Sequence, residues 1–215
     1  MYENMDTKRE IESNKTKEMS KPKFKNKPNQ HIKLYYSNDV RGTEVKQEYW
    51  ISRAAAVCGI IFAFGVEGGS RVLVIKRSKN MPDEPNKFGA PSGYLDWDES
   101  GYDGMVRETY EETSMYLPDY DPFILFNNNR EPFWVNTNPM AFNQNISLFY
   151  VQVYDFSTNP DFFPIDVQNY TDGETAQVEW LNLQDFYNNK REWAFNHDER
   201  IAMALKHFNK NYMKP

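Results

Sequence analysis

The chain has 215 residues and a formal net charge of −6, and 16% of its residues are aromatic, enough large apolar side chains for one sizeable core. Its acidic balance argues against tight nonspecific binding to duplex nucleic acid. No segment reaches the roughly 18 consecutive apolar residues of a membrane span, and no apolar run near the N-terminus resembles a signal peptide. The single cysteine, Cys58, cannot form an internal disulfide, so we expect a cytoplasmic protein in a reducing compartment.

Charge divides the chain into two parts. Residues 1–30 carry eight Lys/Arg and five Asp/Glu with few apolar residues, which predicts a disordered, charged segment. Its lysines between Lys21 and Lys27 suit RNA, a membrane surface or a protein partner, with a solvated tail as the plain alternative. We expect residues 31–215 to form one domain.

Two apolar runs open that domain. Residues 53–64 and 71–77 are rich in β-branched and aromatic side chains, and the glycine-rich turn between them predicts a β-hairpin. Cys58 lies in the first run, which indicates a buried, inert thiol. A glycine-rich segment, residues 87–93, follows the hairpin and leads to the motif that begins at Gly93.

Residues 93–115 hold the strongest chemical signal in the chain. Gly93 is followed after five residues by Glu99, and after seven more by Arg107 and the glutamates of the run Arg-Glu-Thr-Tyr-Glu-Glu. Ser100 is predicted as the N-cap of a helix, with Asp103 as the acidic half of a capping box and the helix continuing to about Thr113.

Carboxylates crowd one side of this helix. Glu108, Glu111 and Glu112 are three or four residues apart, so their Cβ atoms lie within about 6 Å. Because like charges repel, the cluster favours a bound cation, and hard oxygen ligands suit Mg²⁺ or Mn²⁺. Arg107 is expected to pair with Glu111 and to reach back to Glu99.

These residues match the signature of the Nudix hydrolases, GX5EX7REUXEEXGU, in which U is a bulky aliphatic residue, and the chain resembles that family. Thr109 and Ser114 depart from the pattern. Thr109 is expected to face the sheet at little cost. Ser114 stands where the pattern has a glycine that ends the helix in the left-handed conformation. Glycine adopts this conformation freely, whereas serine adopts it at a cost of about 1 kcal/mol. Gly104 is expected to allow the helix to approach the sheet closely.

The resemblance implies hydrolysis of a nucleoside diphosphate linked to another group, X, by attack of water on a pyrophosphate phosphorus. By position it implies Glu108, Glu111 and Glu112 as metal ligands, with a backbone carbonyl near Ser92 or Gly93 completing the shell. It also implies that two residues, Arg107 and Glu99, orient these ligands. The general base stays open between Glu111 and Glu174, and Glu174 has a plain alternative as a turn carboxylate.

The stretch 127–145 is long and rich in turn formers, and the resemblance implies that it contacts X or the nucleobase of the substrate. Phe133 and Trp134 are candidates to stack on a nucleobase, and Arg130 to meet a phosphate. The alternative is that these aromatic residues cover the core.

The remaining elements complete a fold prediction. Residues 146–156 and 176–183 are strand-like, and residues 198–209 have apolar positions at helical spacing. Strands interrupted by one helix and closed by another predict an α/β fold with a mixed sheet between helices. This order resembles the Nudix α/β/α sandwich over about residues 50–210.

The expected function is metal-dependent hydrolysis of a nucleotide-type small molecule, with ADP-ribose or another nucleotide sugar as first choice. Two alternatives stay open. One is a decapping-like hydrolase that uses the basic segment of residues 1–30 to reach RNA. The other is a noncatalytic nucleotide-binding or regulatory module. Oligomeric state is not predicted.

Overall fold

The computed structural model describes residues 35–38, 44–47, 54–138, 145–165, 167, 173–188 and 190–212. The predictions for residues 1–30, and for a domain boundary at residue 31, lie outside the described residues. Within these residues the strands are β1 (Tyr35–Asn38), β2 (Glu44–Gln47), β3 (Ala55–Phe64), β4 (Arg71–Arg77), β5 (Phe88–Gly89), β6 (Ser92–Tyr94), β7 (Ile124–Phe126), β8 (Trp134–Asn136), β9 (Ile146–Asp155) and β10 (Thr175–Asn182). The α-helices are α1 (Gly101–Thr113), α2 (Leu183–Asn188) and α3 (His197–Tyr212).

One large mixed sheet organises the domain. Its main path runs β10-β4-β3-β9-β7, with β5 on β4, β6 on β3 and β8 on β9, while β1 and β2 pair with each other as an antiparallel hairpin. The long strands β3 and β9 are parallel over their whole length, and β4 is antiparallel to both β3 and β10. The predicted hairpin of β3 and β4 is confirmed.

The sheet carries a hydrophobic core on each face because side chains of β3 alternate between its two sides. One core packs under α3, which contributes Ile201, Ala204 and Phe208. The other packs under α1, which contributes Met105 and Val106. The predicted α/β fold, a mixed sheet between helices, is confirmed.

Helix α1 begins where the sequence predicts. Ser100 is extended (φ −75°, ψ 161°), and its hydroxyl accepts the Asp103 N–H at 3.2 Å. The Asp103 carboxylate accepts from the Ser100 hydroxyl at 2.7 Å. This closes the first turn and leaves the rest of the helix free to present its glutamates.

The expectation for Gly104 is wrong about its neighbour. A Cβ at Gly104 would lie 2.7 Å from Glu99 Oε1, so this glycine makes room for the loop before the helix and not for the sheet. Gly101 instead faces the sheet, where a Cβ would collide with the Tyr150 hydroxyl of β9. Sequence spacing identifies a crowded helix start but not which glycine meets which neighbour. Thr109 does face β3, with its hydroxyl close to Gly59.

Ser114 ends α1 in the left-handed region, with φ 60° and ψ 9°, and its N–H donates to the Tyr110 carbonyl at 2.7 Å. We therefore expect Ser114→Gly to raise the free energy of unfolding by about 1 kcal/mol, because glycine adopts this conformation without a Cβ penalty. Urea unfolding monitored by tryptophan fluorescence measures the change. Ser114→Ala is the matched control and should gain nothing, so equal gains for both variants would contradict the explanation.

Among the described residues, none of the helices combines the length and the apolar character that a membrane span requires.

Candidate active site

Arg107 is the centre of the candidate site, and only 5% of its side chain is exposed. Its Nε and Nη2 donate to the two carboxylate oxygens of Glu99 at 3.0 and 2.7 Å. Nη2 also donates to the Tyr94 carbonyl at 2.8 Å. Nη1 donates to Glu108 at 2.7 Å and to Glu111 at 3.0 Å. The predicted contacts of Arg107 with Glu99 and Glu111 are therefore present, within a wider set of partners.

The loop between β6 and α1 is fixed by the same guanidinium. Asp96 lies 3.9 Å from the Arg107 Nε, and its N–H donates to Glu99 at 2.9 Å. Burial lowers the pKa of Arg107, but the hydrogen bonds and charges of Glu99 and Glu108 outweigh burial and raise this pKa overall. Arg107 is thus permanently charged. Sequence reasoning missed Asp96 and the Tyr94 carbonyl, because neither belongs to the spacing pattern.

Glu108 is the least exposed of the carboxylates that pair with Arg107, with 13% of its side chain accessible. Burial raises the pKa of Glu108 to about 7, Arg107 opposes this shift, and the charges of Glu111 and Glu174 add to it. A Cβ at Gly93 would fall on the Glu108 carboxylate, so a glycine at this position gives the carboxylate its space. Gly93 and Glu108, which the sequence pattern links only by spacing, are therefore in direct contact.

Glu112 is 3% exposed and is held by backbone. Its Oε2 accepts the Ser92 N–H at 2.8 Å. Burial raises the pKa of the Cys58 thiol, and the nearby Glu112 charge adds to this effect. The prediction of a buried Cys58 is confirmed. Glu112 therefore points toward β3 and β6, on the side of α1 that faces the sheet.

Glu174, the second candidate base, lies near this cluster. Its carbonyl accepts the Ser78 N–H at 2.6 Å, which ties it to the end of β4. Its charge reaches Glu108 and contributes to the raised pKa there. The turn before β10 therefore brings a carboxylate toward α1 across a large gap in sequence.

The three predicted substrate-binding residues lie apart from the glutamates. Arg130 is beside the first turn of α1, 4.0 Å from Asp121, with its guanidinium 5.2 Å from the ring centre of Tyr102. The glutamates occupy the second half of that helix. A phosphate bound among them is therefore not next to Arg130, and a substrate-binding role for Arg130 stays a prediction.

The two aromatic candidates pack on the α3 side of the sheet. Phe133 and Trp134 are partly buried against the core. Phe133 lies 5.5 Å from the ring of His207, and Trp134 lies 5.2 Å from Phe149. The guanidinium of Arg200 covers the Trp134 ring at 4.0 Å. These contacts match the core-covering alternative, and base stacking by either residue stays a prediction.

The acidic group fits a divalent cation by its chemistry, although its present geometry does not yet form a shell. In the part of the chain that the structure describes, no three Asp, Glu, His or Cys side chains converge as metal ligands. The reason is visible: Glu108 and Glu111 turn to Arg107, and Glu112 turns to Ser92. One guanidinium among several carboxylates leaves an excess of negative charge, and oxygen donors of this kind suit Mg²⁺ or Mn²⁺.

The contact between Gly93 and Glu108 yields a prediction. Gly93→Ala should displace the Glu108 carboxylate and weaken Mn²⁺ binding by at least about 10-fold. Titration of the full chain with Mn²⁺, followed by electron paramagnetic resonance of the free ion, measures this. Gly101→Ala is the matched control because it crowds Tyr150 at the start of the same helix and leaves the glutamates alone. Equal affinities for the two variants would contradict a special role for Gly93.

Comparison with known proteins identifies the class of the chain. A family model described as the NUDIX domain matches residues 52–203. The match covers more than half of the chain, so the chain belongs to the Nudix family. The resemblance inferred from the motif is thereby confirmed. A search of curated proteins found no match.

Solved structures support the fold. The NUDIX domain of Shewanella oneidensis NrtR, solved with ADP ribose, is 20% identical with a TM-score of 0.54, and the match covers 74% of this chain and 90% of that one. A MutT/nudix family protein from Enterococcus faecalis is 18% identical with a TM-score of 0.54, covering 77% and 66%. A bifunctional NMN adenylyltransferase/ADP ribose pyrophosphatase from Francisella tularensis, solved with AMP and a Mn ion, is 17% identical with a TM-score of 0.54, covering 74% and 42%. This chain thus spans less than half of the bifunctional protein, and at these identities the likeness concerns the fold.

Proposed function

We propose that this protein is a metal-dependent hydrolase that cleaves the pyrophosphate bond of a nucleoside diphosphate linked to another group, X. The observation that carries the proposal is the grouping of three carboxylates on one helix: Glu108 and Glu111 accept from the buried Arg107, and Glu112 accepts the Ser92 N–H. Such a group suits a dianionic substrate only through a cation, because carboxylates alone repel phosphate.

Each residue has a distinct part in this proposal. Glu108, Glu111 and Glu112 would hold Mg²⁺ or Mn²⁺, with the carbonyl of Ser92 or Gly93 as a further oxygen donor. The bound metal would neutralise phosphate oxygens and lower the pKa of a water molecule. Arg107 and Glu99 touch no substrate in this scheme and keep the ligand carboxylates oriented.

The proton of the attacking water needs an acceptor, and the two candidates remain Glu111 and Glu174. Glu111 is the more exposed of the Arg107 partners on α1, with 23% of its side chain accessible. Glu174 lies close enough for its charge to raise the pKa of Glu108. The charge of Glu174 would therefore also act on a water molecule beside the Glu108 carboxylate. Separate Glu111→Gln and Glu174→Gln variants distinguish them, because loss of the base lowers kcat whereas loss of a ligand also lowers metal affinity.

ADP-ribose is the first substrate to test, and other nucleotide sugars follow. Similar structures hold ADP ribose or AMP, which supports an adenine nucleotide without deciding the identity of X. The experiment is incubation with ADP-ribose and Mg²⁺ in ¹⁸O-labelled water. Release of AMP and ribose 5-phosphate, with one labelled oxygen in one of the two products, is the expected result. Intact ADP-ribose would move the search to another X, and label in neither product phosphate would contradict attack at phosphorus.

The RNA-decapping and noncatalytic alternatives rest on other features. The basic lysines that favour RNA lie in residues 1–30, outside the described part of the chain. Ser114, which departs from the family pattern, supports the noncatalytic alternative. The complete set of glutamates argues against it, because a protein that only binds nucleotide has no need of them.

A further inference from the structure

A buried histidine, His197, lies at the start of α3, outside the acidic group. It is 5% exposed, and its ring meets Phe149 edge-to-face at 6.0 Å. Its Nδ1 accepts the Ala90 N–H at 3.1 Å. Burial, aided by the charges of Arg77 and Arg200, lowers the pKa of His197 to about 3, so the ring is neutral with its proton on Nε2.

This hydrogen bond takes the place of a missing strand partner. Strand β5 pairs with β4 along one side. Along its other side the Phe88 N–H donates to the Glu192 carbonyl at 2.8 Å, and the next N–H that faces this way belongs to Ala90. The chain then enters the 3-10 turn Ala194–Asn196, where the Ala194 carbonyl accepts the His197 N–H. The acceptor for the buried Ala90 N–H is instead the imidazole of His197.

The segment fixed in this way leads directly into the candidate site. The Pro91 carbonyl accepts the Gly59 N–H at 2.9 Å, which ties the segment to β3. The next N–H, of Ser92, binds Glu112 at 2.8 Å. Gly93 then gives space to the Glu108 carboxylate. Two of the three proposed metal ligands therefore rest on the backbone that begins at Ala90.

We propose that His197 is a positioning residue for the metal site: by binding the Ala90 N–H, it fixes the backbone of residues 90–93 and thereby the carboxylates of Glu108 and Glu112. The fit is close, because a Cβ at Gly89 would lie 2.9 Å from Nδ1. His197 itself touches no reacting atom. The inference rests on the proposed function, since it presumes that these carboxylates bind a metal ion.

The test compares Mn²⁺ affinity in the full chain for the wild type, His197→Leu and His197→Asn. Leucine keeps much of the buried volume and removes the acceptor. Asparagine carries its amide oxygen the same number of bonds from Cα as Nδ1, so it can still accept the Ala90 N–H. We expect about 10-fold weaker Mn²⁺ binding for His197→Leu and an affinity within about 3-fold of the wild type for His197→Asn.

Ile201→Val is the control for lost packing, because Ile201 is fully buried one turn further along α3. It should leave Mn²⁺ affinity unchanged. If circular dichroism shows that His197→Leu does not fold, His197→Gln replaces it, since its amide lies one bond too far from the backbone.

Two results would overturn the role of His197: unchanged affinity in the variant without an acceptor, or equal weakening in the leucine and asparagine variants. A wild-type protein that binds no Mn²⁺ would instead contradict the proposed function. The two failures are therefore distinguishable.

Discussion

Glu112→Gln is expected to reduce metal-dependent turnover by at least about 10²-fold with the fold retained. The substitution keeps the shape of the side chain and an oxygen that accepts the Ser92 N–H, so the packing against β3 and β6 survives. It removes the negative charge, and a neutral amide is a far weaker ligand for Mg²⁺ or Mn²⁺ than a carboxylate. Steady-state kinetics over a range of metal concentrations measures the effect.

The matched control for this variant is Glu131→Gln, which makes the same chemical change at an exposed position outside α1. It should retain activity within about 2-fold. Full activity of Glu112→Gln at every metal concentration would remove Glu112 from the site. A loss that is restored at high Mn²⁺ would retain Glu112 as a ligand and would locate the defect in metal affinity.

Arg107→Ala is expected to lower the free energy of unfolding by about 3–5 kcal/mol, because it leaves buried carboxylates without their counter-charge. The guanidinium donates two hydrogen bonds to the Glu99 carboxylate, and it also donates to Glu108 and to the Tyr94 carbonyl. If the acidic group binds a divalent cation, added Mn²⁺ should recover part of the loss by binding only the folded state. Urea unfolding with and without Mn²⁺ measures both quantities.

Arg130→Ala is the control for Arg107→Ala, since Arg130 is largely exposed and pairs with Asp121 only at 4.0 Å. Its loss should change the free energy of unfolding by less than about 1 kcal/mol. A similarly small effect for Arg107→Ala would show that water solvates the carboxylates well enough without the guanidinium. It would contradict the prediction that Arg107 is their necessary counter-charge.

The sequence predicts the parts of this fold that depend on local patterns. The hairpin of β3 and β4, helix α1 and helix α3 follow from apolar periodicity and from the Ser100 cap. The contacts of Arg107 with Glu99 and Glu111 follow from spacing on a helix and on the loop before it. These features concern contacts between residues at most ten positions apart, so local geometry almost determines them.

Contacts between distant segments were less predictable. The position of Trp134 depends on Arg200 and Phe149, and that of Phe133 on His207, none of which is a neighbour in sequence. Short strands such as β7 and β8 have three residues each, too few for a periodic signal.

His197 shows a different limit of sequence reasoning. The three histidines have no partners at zinc spacing, and a search for metal ligands passes over them. The role of His197 depends on a hydrogen bond to Ala90, 107 residues away. The only sequence signal was its place just before a predicted helix, in the segment Ala-Phe-Asn-His-Asp.

The most direct measurement of the central claim is product release from a substrate panel in the presence of Mg²⁺ or Mn²⁺ and, in parallel, of EDTA. The panel comprises ADP-ribose, nucleotide sugars, dinucleoside polyphosphates, nucleoside triphosphates and capped RNA. Cleavage of a pyrophosphate bond that requires the metal is the predicted result, and the products identify X. No cleavage of any compound by folded protein that still binds nucleotide would contradict the hydrolase and favour the noncatalytic module.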